Sequence, residues 1–179
     1  LSVSEFEIAA EETSAVIIDT RNPDEFTKGF IPNSISIGID GSFATWVGTL
    51  VPDVKQKLLI VADEGREAEV ITRLARVGYD HAIGFLKGGY TAWKTSGKDS
   101  DQIASVNEDE LSQAMTSKEV NVLDVRKASE YGSEHLLNAE NAPLDFINES
   151  MLKLNKDKSY YVHCAAGYCS VVFISILQA

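Results

Sequence analysis

The chain is short of the residues from which small extracellular folds and metal centres are made. It holds two cysteines, five positions apart, among 179 residues. So close a pair is no disulfide framework, and a reducing, cytoplasmic setting is expected. Those cysteines and three scattered histidines lack ligand spacing, so no metal and no cofactor is expected in this chain. Positive charge is also scarce: 16 Lys and Arg stand against 27 Asp and Glu, for a net charge of −11. Such an acidic chain has no electrostatic footprint for nucleic acid or anionic lipid. No apolar run reaches membrane-spanning length and no signal peptide is visible, so no membrane partner is expected. No stretch is low in complexity. The chain opens Leu1-Ser2-Val3 without a methionine, and a longer polypeptide is expected.

What remains is an ordinary globular composition, 44% hydrophobic, arranged as strands alternating with helices. Ser4 and Glu7 have capping-box spacing, which predicts a short helix. Ala15 to Asp19 reads as a buried parallel strand, Ile31 to Ile37 as a second and Lys57 to Val61 as a third. Pro23 opens a short helix, and Ser42 is placed to cap another through Trp46 and Leu50. A helix from Glu67 to Val77 follows, with Val70, Ile71, Leu74 and Val77 on its apolar side and Gly78 at its end. Ile83 to Leu86 is a fourth strand, and Lys87-Gly88-Gly89-Tyr90 turns into a helix carrying Trp93. This order predicts a parallel sheet covered on both faces. The polar stretch from Ser96 to Gln102 marks a boundary.

The second half then repeats the first. Asp19-Thr20-Arg21 returns as Asp124-Val125-Arg126, and Glu25-Phe26 as Glu130-Tyr131, both 105 positions on. Ala62-x-x-Gly65 returns as Cys164-x-x-Gly167, 102 positions on. A near-constant offset is the mark of duplicated domains. Ser105 and Glu108 offer a second capping box, Val120 to Val125 a strand, with helices near Ser129 and Leu144.

The chemistry concentrates at Tyr160 to Leu177. A short strand leads into Cys164-Ala165-Ala166-Gly167-Tyr168-Cys169-Ser170 and on into an apolar helix. A cysteine leaving a strand and facing a helix N-terminus sits in positive potential, and loop N–H groups favour its thiolate. Cys164 is thus placed as a nucleophile above an anion cradle. His163 precedes it along a strand, where neighbouring side chains point to opposite faces, so it is not well placed as a base. Arg126 is expected either to bond the loop backbone or to pair with Asp124 or Glu130. A lone His135 is read as structural.

The loop, Cys-x-x-Gly-x-x-Ser, resembles the active loop of the rhodanese family, whose cysteine carries sulfane sulfur as a persulfide. Asp19-Thr20-Arg21 and Leu86-Lys87-Gly88-Gly89-Tyr90-Thr91-Ala92-Trp93 resemble the family's early Asp-x-Arg and closing Leu-x-Gly-Gly-x-x-Ala-Trp. The resemblance implies an α/β fold: two rhodanese-like three-layer α/β/α domains with parallel sheets, over 1–98 and 103–179. The first has Ala62 at the nucleophile position, beside Asp63 and Glu64, and is read as inactive, with Arg66 a solvated residue of the first helical turn. The second is read as incomplete at its C-terminus. Thirty-five residues separate Ala62 from Gly97, but only 15 follow Cys164. The strand after the active helix, which the resemblance places inside the sheet, would then be missing, and its neighbours would lose ladder partners. The polypeptide is expected to continue past Ala179, or another chain to fill the gap.

The resemblance implies a sulfurtransferase. Cys164 would be its catalytic residue, and Ala165, Ala166, Gly167, Tyr168, Cys169, Ser170 and Arg126 would bind the substrate. The expected partners are a small-molecule sulfur donor, thiosulfate or a glutathione persulfide, and a thiol acceptor. Cys169 stands where such loops often carry Arg. It is read as a neutral loop residue, with sulfur relay or disulfide closure as the alternative. Two other readings compete. A cysteine phosphatase would need a longer loop ending in Arg. A non-catalytic accessory module is implied by Gly38 to Gly48, a run similar to rhodanese-like domains fused behind metallo-β-lactamase-fold hydrolases or persulfide dioxygenases. That likeness implies a missing N-terminal metal hydrolase domain.

Overall fold

The computed structural model describes residues 1–179. Two compact units hold all but the last two residues of the chain in the ranges Leu1–Ile103 and Ala104–Leu177. The first unit runs α1 (Val3–Thr13), β1 (Val16–Asp19), α2 (Pro23–Lys28), β2 (Ser34–Ser36), α3 (Phe43–Leu50), β3 (Leu58–Val61), α4 (Glu67–Ala75), β4 (Ala82–Phe85) and α5 (Gly89–Thr95). Its strands are all parallel, in the order β2-β1-β3-β4. Strand alternation sends Ile18 and Ile60 to one face, where Phe43, Val47, Val70 and Leu74 from α3 and α4 cover them. Ile17, Leu59 and Val61 meet Phe6 of α1 and Trp93 of α5 on the other. Both faces are thereby dry, which is why the central strand β3 is apolar at every position.

The second unit runs α6 (Glu108–Ser117), β5 (Asn121–Asp124), α7 (Ala128–Ser133), β6 (Ala139–Asn141), a 3-10 turn (Leu144–Phe146), α8 (Ile147–Lys153), β7 (Tyr160–His163) and α9 (Tyr168–Gln178). Its parallel sheet has three strands, β6-β5-β7. In the first unit β3 lies between β1 and β4, and its four residues are fully buried. The matching strand β7 lies at the edge of its sheet, and all four of its residues are half-buried.

Element ends differ from the sequence expectations for local reasons. The capping boxes are Ser2–Glu5 and Asn107–Glu110, each two positions away from the expected Ser4–Glu7 and Ser105–Glu108. The chain before β2 is a turn, not a strand: Ser34 N–H bonds the Ile31 carbonyl and Asn33 takes φ +63°. α4 stops at Ala75, and Val77, expected on its buried side, is exposed. Ser42 precedes α3 but gives it no side-chain cap. The polar stretch after α5 is held to the first unit by backbone bonds between Phe30 and Asp101 and from Ile103 N–H to Thr27.

Candidate active site

Cys164 stands at the end of β7, where the chain turns through Ala165 and Ala166 to Gly167 and enters α9. The turn requires φ +81° at Gly167, a conformation natural to glycine. It brings the Gly167 amide back to donate to Cys164 Sγ at 3.1 Å. The Ser170 hydroxyl lies 3.5 Å from the same sulfur and 2.9 Å from the Gly167 carbonyl. Cys169 precedes Ser170 on the first turn of α9.

These contacts determine where the charge sits. The Cys164 thiol is held down to about 4, first by the bond from Cys169 and then by the Ser170 hydroxyl and the Ser170 and Ala166 amides, against the effect of burial. Cys169 is pushed up by the same bond, by burial, and by the charges of Cys164, Asp145 and Glu130. The pair is therefore a thiolate at Cys164 and a thiol at Cys169. Tyr168 is raised by burial and keeps its phenol proton.

Cys164 opens on a cleft of about 760 Å³ that Leu111 and Met115 of α6, Arg126, His135 and His163 also line. The apolar wall from α6 was not anticipated, although Leu111 and Met115 stand at i, i+4 on one helix. Arg126 makes a forked bond to Asp124, with its closest contact at 2.6 Å, and gives Nη2 to the Glu134 carbonyl at 2.8 Å. Of its two expected roles it therefore takes the pair with Asp124; no bond joins it to the loop of Cys164–Ser170. Asp124 is fully buried; burial would raise it, but the bonds from Arg126 outweigh that and hold its carboxyl low. Asn141 pins this turn by donating to the carbonyls of Asp124 and Arg126, a role no sequence signal announced. His163 turns its Nε2 to within 3.7 Å of Asp124 Oδ2 and forms no bond to Cys164. His135 stacks on Tyr131, with ring centroids 3.9 Å apart, and its Nδ1 meets the Tyr131 carbonyl, as suits a structural residue.

The first unit repeats the frame without the nucleophile. Asp19 and Arg21 form the same forked pair, and Arg21 reaches the Gly29 carbonyl at 2.9 Å. Gly65, at φ +86°, matches Gly167. A larger cleft, about 1020 Å³, lies over this loop, with Ala62, Asp63 and Glu64 on its wall. It offers carboxylates where the second unit offers a thiol, so size does not choose the reactive site. Arg66 is not a free solvated residue: it clamps both Asp40 oxygens at 2.7 and 2.8 Å and also bonds Glu69.

The rhodanese-like domain family matches residues 2–96 and again residues 107–179, and the chain belongs to that family. Its fold is similar to that of a rhodanese-like domain from Anabaena sp., at 18% identity and TM-score 0.51, over 60% of this chain and 86% of that one. It is also similar to thiosulfate sulfurtransferase from Pseudomonas aeruginosa, at 19% identity and TM-score 0.48 over 99% of this chain. The chain spans 40% of that protein's length. No curated protein matches it. No helix is long and apolar enough to cross a membrane.

Proposed function

We propose that the second unit is a sulfurtransferase that carries sulfane sulfur on Cys164. The observation that carries this reading is a half-buried thiol held down to about 4 inside a loop whose Gly167 amide donates to it. Such a thiol is ionised at neutral pH without a separate base. Membership of the rhodanese-like family supports the reading.

The Cys164 thiolate attacks the outer sulfur of a donor. That sulfur bonds to Sγ, its old bond breaks, and sulfite or a thiolate leaves with the electron pair. The persulfide anion then rests on loop N–H groups, as the thiolate did. An acceptor thiol removes the outer sulfur and returns the pair to Cys164. The loop offers no guanidinium to a dianionic donor, so a persulfide of a small thiol suits it better than thiosulfate. The first unit, with Ala62 at the matching position, is assigned no part in the chemistry.

Incubating the chain with glutathione persulfide and weighing the peptide of residues 159–179 tests the reading. One added sulfur atom is expected, and none in Cys164→Ser. An unmodified peptide from the unaltered chain defeats it. The alternative, an accessory module of a metallo-β-lactamase-fold hydrolase, rests on the run Gly38 to Gly48, and sequencing the coding region upstream of Leu1 tests it.

A further inference from the structure

The cleft that Cys164 opens on has an apolar wall that the transfer chemistry above does not use. Leu111 and Met115 of α6 line it, with Leu136 and Leu137 from the segment between α7 and β6. None of the four is buried: Leu111 and Met115 are half-buried, and Leu136 and Leu137 are exposed. α6 as a whole buries no residue. In the first unit Phe6, 105 positions before Leu111, is fully buried in one cluster with Trp93. Large apolar side chains gathered beside a reactive sulfur mark a place where something apolar binds.

The charges along the cleft agree. Arg126 is the one guanidinium in the lining, and it is held by Asp124 and by the Glu134 carbonyl. Glu108 and Glu134 bring carboxylates to the same lining. A donor with carboxylates of its own meets like charge there.

We propose that the cleft selects a persulfide whose carrier thiol is apolar and uncharged, with Leu111, Met115, Leu136 and Leu137 as the specificity-determining residues. The proposal rests on the sulfurtransferase reading and names the class of donor for it. The carrier group R of the donor R–S–SH lies along the three leucines and Met115, whose unbranched thioether adapts to the shape of R. The Cys164 thiolate bonds to the outer sulfur, the S–S bond of the donor breaks, and R–S⁻ leaves with the electron pair. The proton of the outer sulfur passes to R–S⁻, which departs as a thiol, and Cys164 keeps the persulfide anion. The sulfur stays in the sulfane state, so no oxidant or reductant is consumed. Contacts to R are the same before and during transfer, so the wall acts through KM and leaves kcat alone.

The test assays the full chain with benzyl persulfide and with glutathione persulfide, dithiothreitol being the acceptor in both. Each kcat/KM is divided by the rate of the same donor with free cysteine, which removes the donors' own reactivity. The corrected ratio is expected to favour benzyl persulfide roughly tenfold or more, through KM. Met115→Gln and Leu137→Ser are each expected to lower that ratio roughly threefold or more. Leu137 is 79% exposed, so its replacement leaves the fold intact. A ratio near one, or one that favours glutathione persulfide, in a chain that loads Cys164 overturns the assignment. It leaves the sulfurtransferase reading standing and gives the apolar wall to a covering polypeptide segment. A preference that survives both substitutions also overturns it. No sulfur on Cys164 from either donor overturns the sulfurtransferase reading and the donor class together.

Discussion

The Ser170 hydroxyl stands 3.5 Å from Cys164 Sγ, with the Gly167 carbonyl as its other partner at 2.9 Å. A hydroxyl has one proton and cannot give it to both. When Cys164 is a thiolate, the proton belongs to the sulfur; when Cys164 is a thiol, it turns to the carbonyl. Ser170→Ala removes that switchable donor. A hydrogen bond to a charged group is worth about 1.5–3 kcal/mol, so sulfur loading is expected to slow roughly tenfold or more at neutral pH. The thiol pKa should rise. Stopped-flow loading, with the thiolate followed by ultraviolet absorbance, measures both, and unchanged values would remove Ser170 from the cradle.

The pH behaviour follows from the same thiol. Held at about 4 in the fold, Cys164 is ionised from roughly pH 5 upward, so loading should be flat there instead of climbing with pH. In the unfolded chain the same thiol titrates near the ordinary cysteine value, about 8.5. Between about 4 and 8.5 the unfolded chain holds a proton that the folded chain has released, so stability rises with pH in that window. The contribution is complete above 8.5 and gone below 4. The urea midpoint of the unaltered chain should therefore pull ahead of Cys164→Ser as pH rises from 4 to 8. A constant gap would show an ordinary thiol.

The position of Cys169 makes a prediction about donors. An arginine there would put a fixed cation at the mouth of the loop, able to hold a dianionic donor through charge-assisted bonds. Cys169→Arg is expected to raise kcat/KM for thiosulfate about tenfold relative to that for glutathione persulfide. Steady-state assays with the two donors read the ratio, and an unmoved ratio would mean that the loop mouth does not select by charge.

Much of this site was readable in the residue order, and the failures have a common cause. The loop, its strand and its helix form a continuous stretch, so local pattern sufficed to place Cys164 between a strand and a helix. The duplicated Asp-x-Arg could be seen but its use could not, because Arg126 chooses between partners that folding alone brings near. The capping boxes slipped for the same reason. Ser2 and Ser4 both have a glutamate three residues on, and Leu1 decides between them: its main-chain nitrogen donates to the Phe85 carbonyl at 2.8 Å, and its carbonyl accepts from the Lys87 amide. That anchor fixes where the chain may turn into α1, and it lies 84 positions away in sequence.

Asp124 supports the site from below, and its loss should be costly. The carboxylate is fully buried and Arg126 is only 21% exposed, so Asp124→Asn leaves a largely buried guanidinium without its counter-charge. Removing one partner of such a pair costs about 3 kcal/mol. The pair's contribution also fades as pH falls through the lowered Asp124 value, since the carboxylate is the form that Arg126 stabilises. Urea unfolding at neutral pH checks the magnitude, and a loss below about 0.5 kcal/mol would mark the pair as ornamental.

Gly89 tests how the first unit closes over its loop. A Cβ there would lie 2.6 Å from the Ala62 carbonyl oxygen, and the residue already has φ +55°. Gly65, at φ +86°, has nothing within 4 Å of its virtual Cβ. Gly65→Ala should therefore carry only the left-handed penalty, about 1–2 kcal/mol. Gly89→Ala should carry that penalty plus a backbone collision, about 2–4 kcal/mol in all. The collision cannot be relieved by a side-chain rotation, because the atom struck belongs to the backbone where β3 enters the loop. Equal losses in the two variants would mean that α5 can lift away from Ala62 at little cost, and the close approach would then be incidental to the fold.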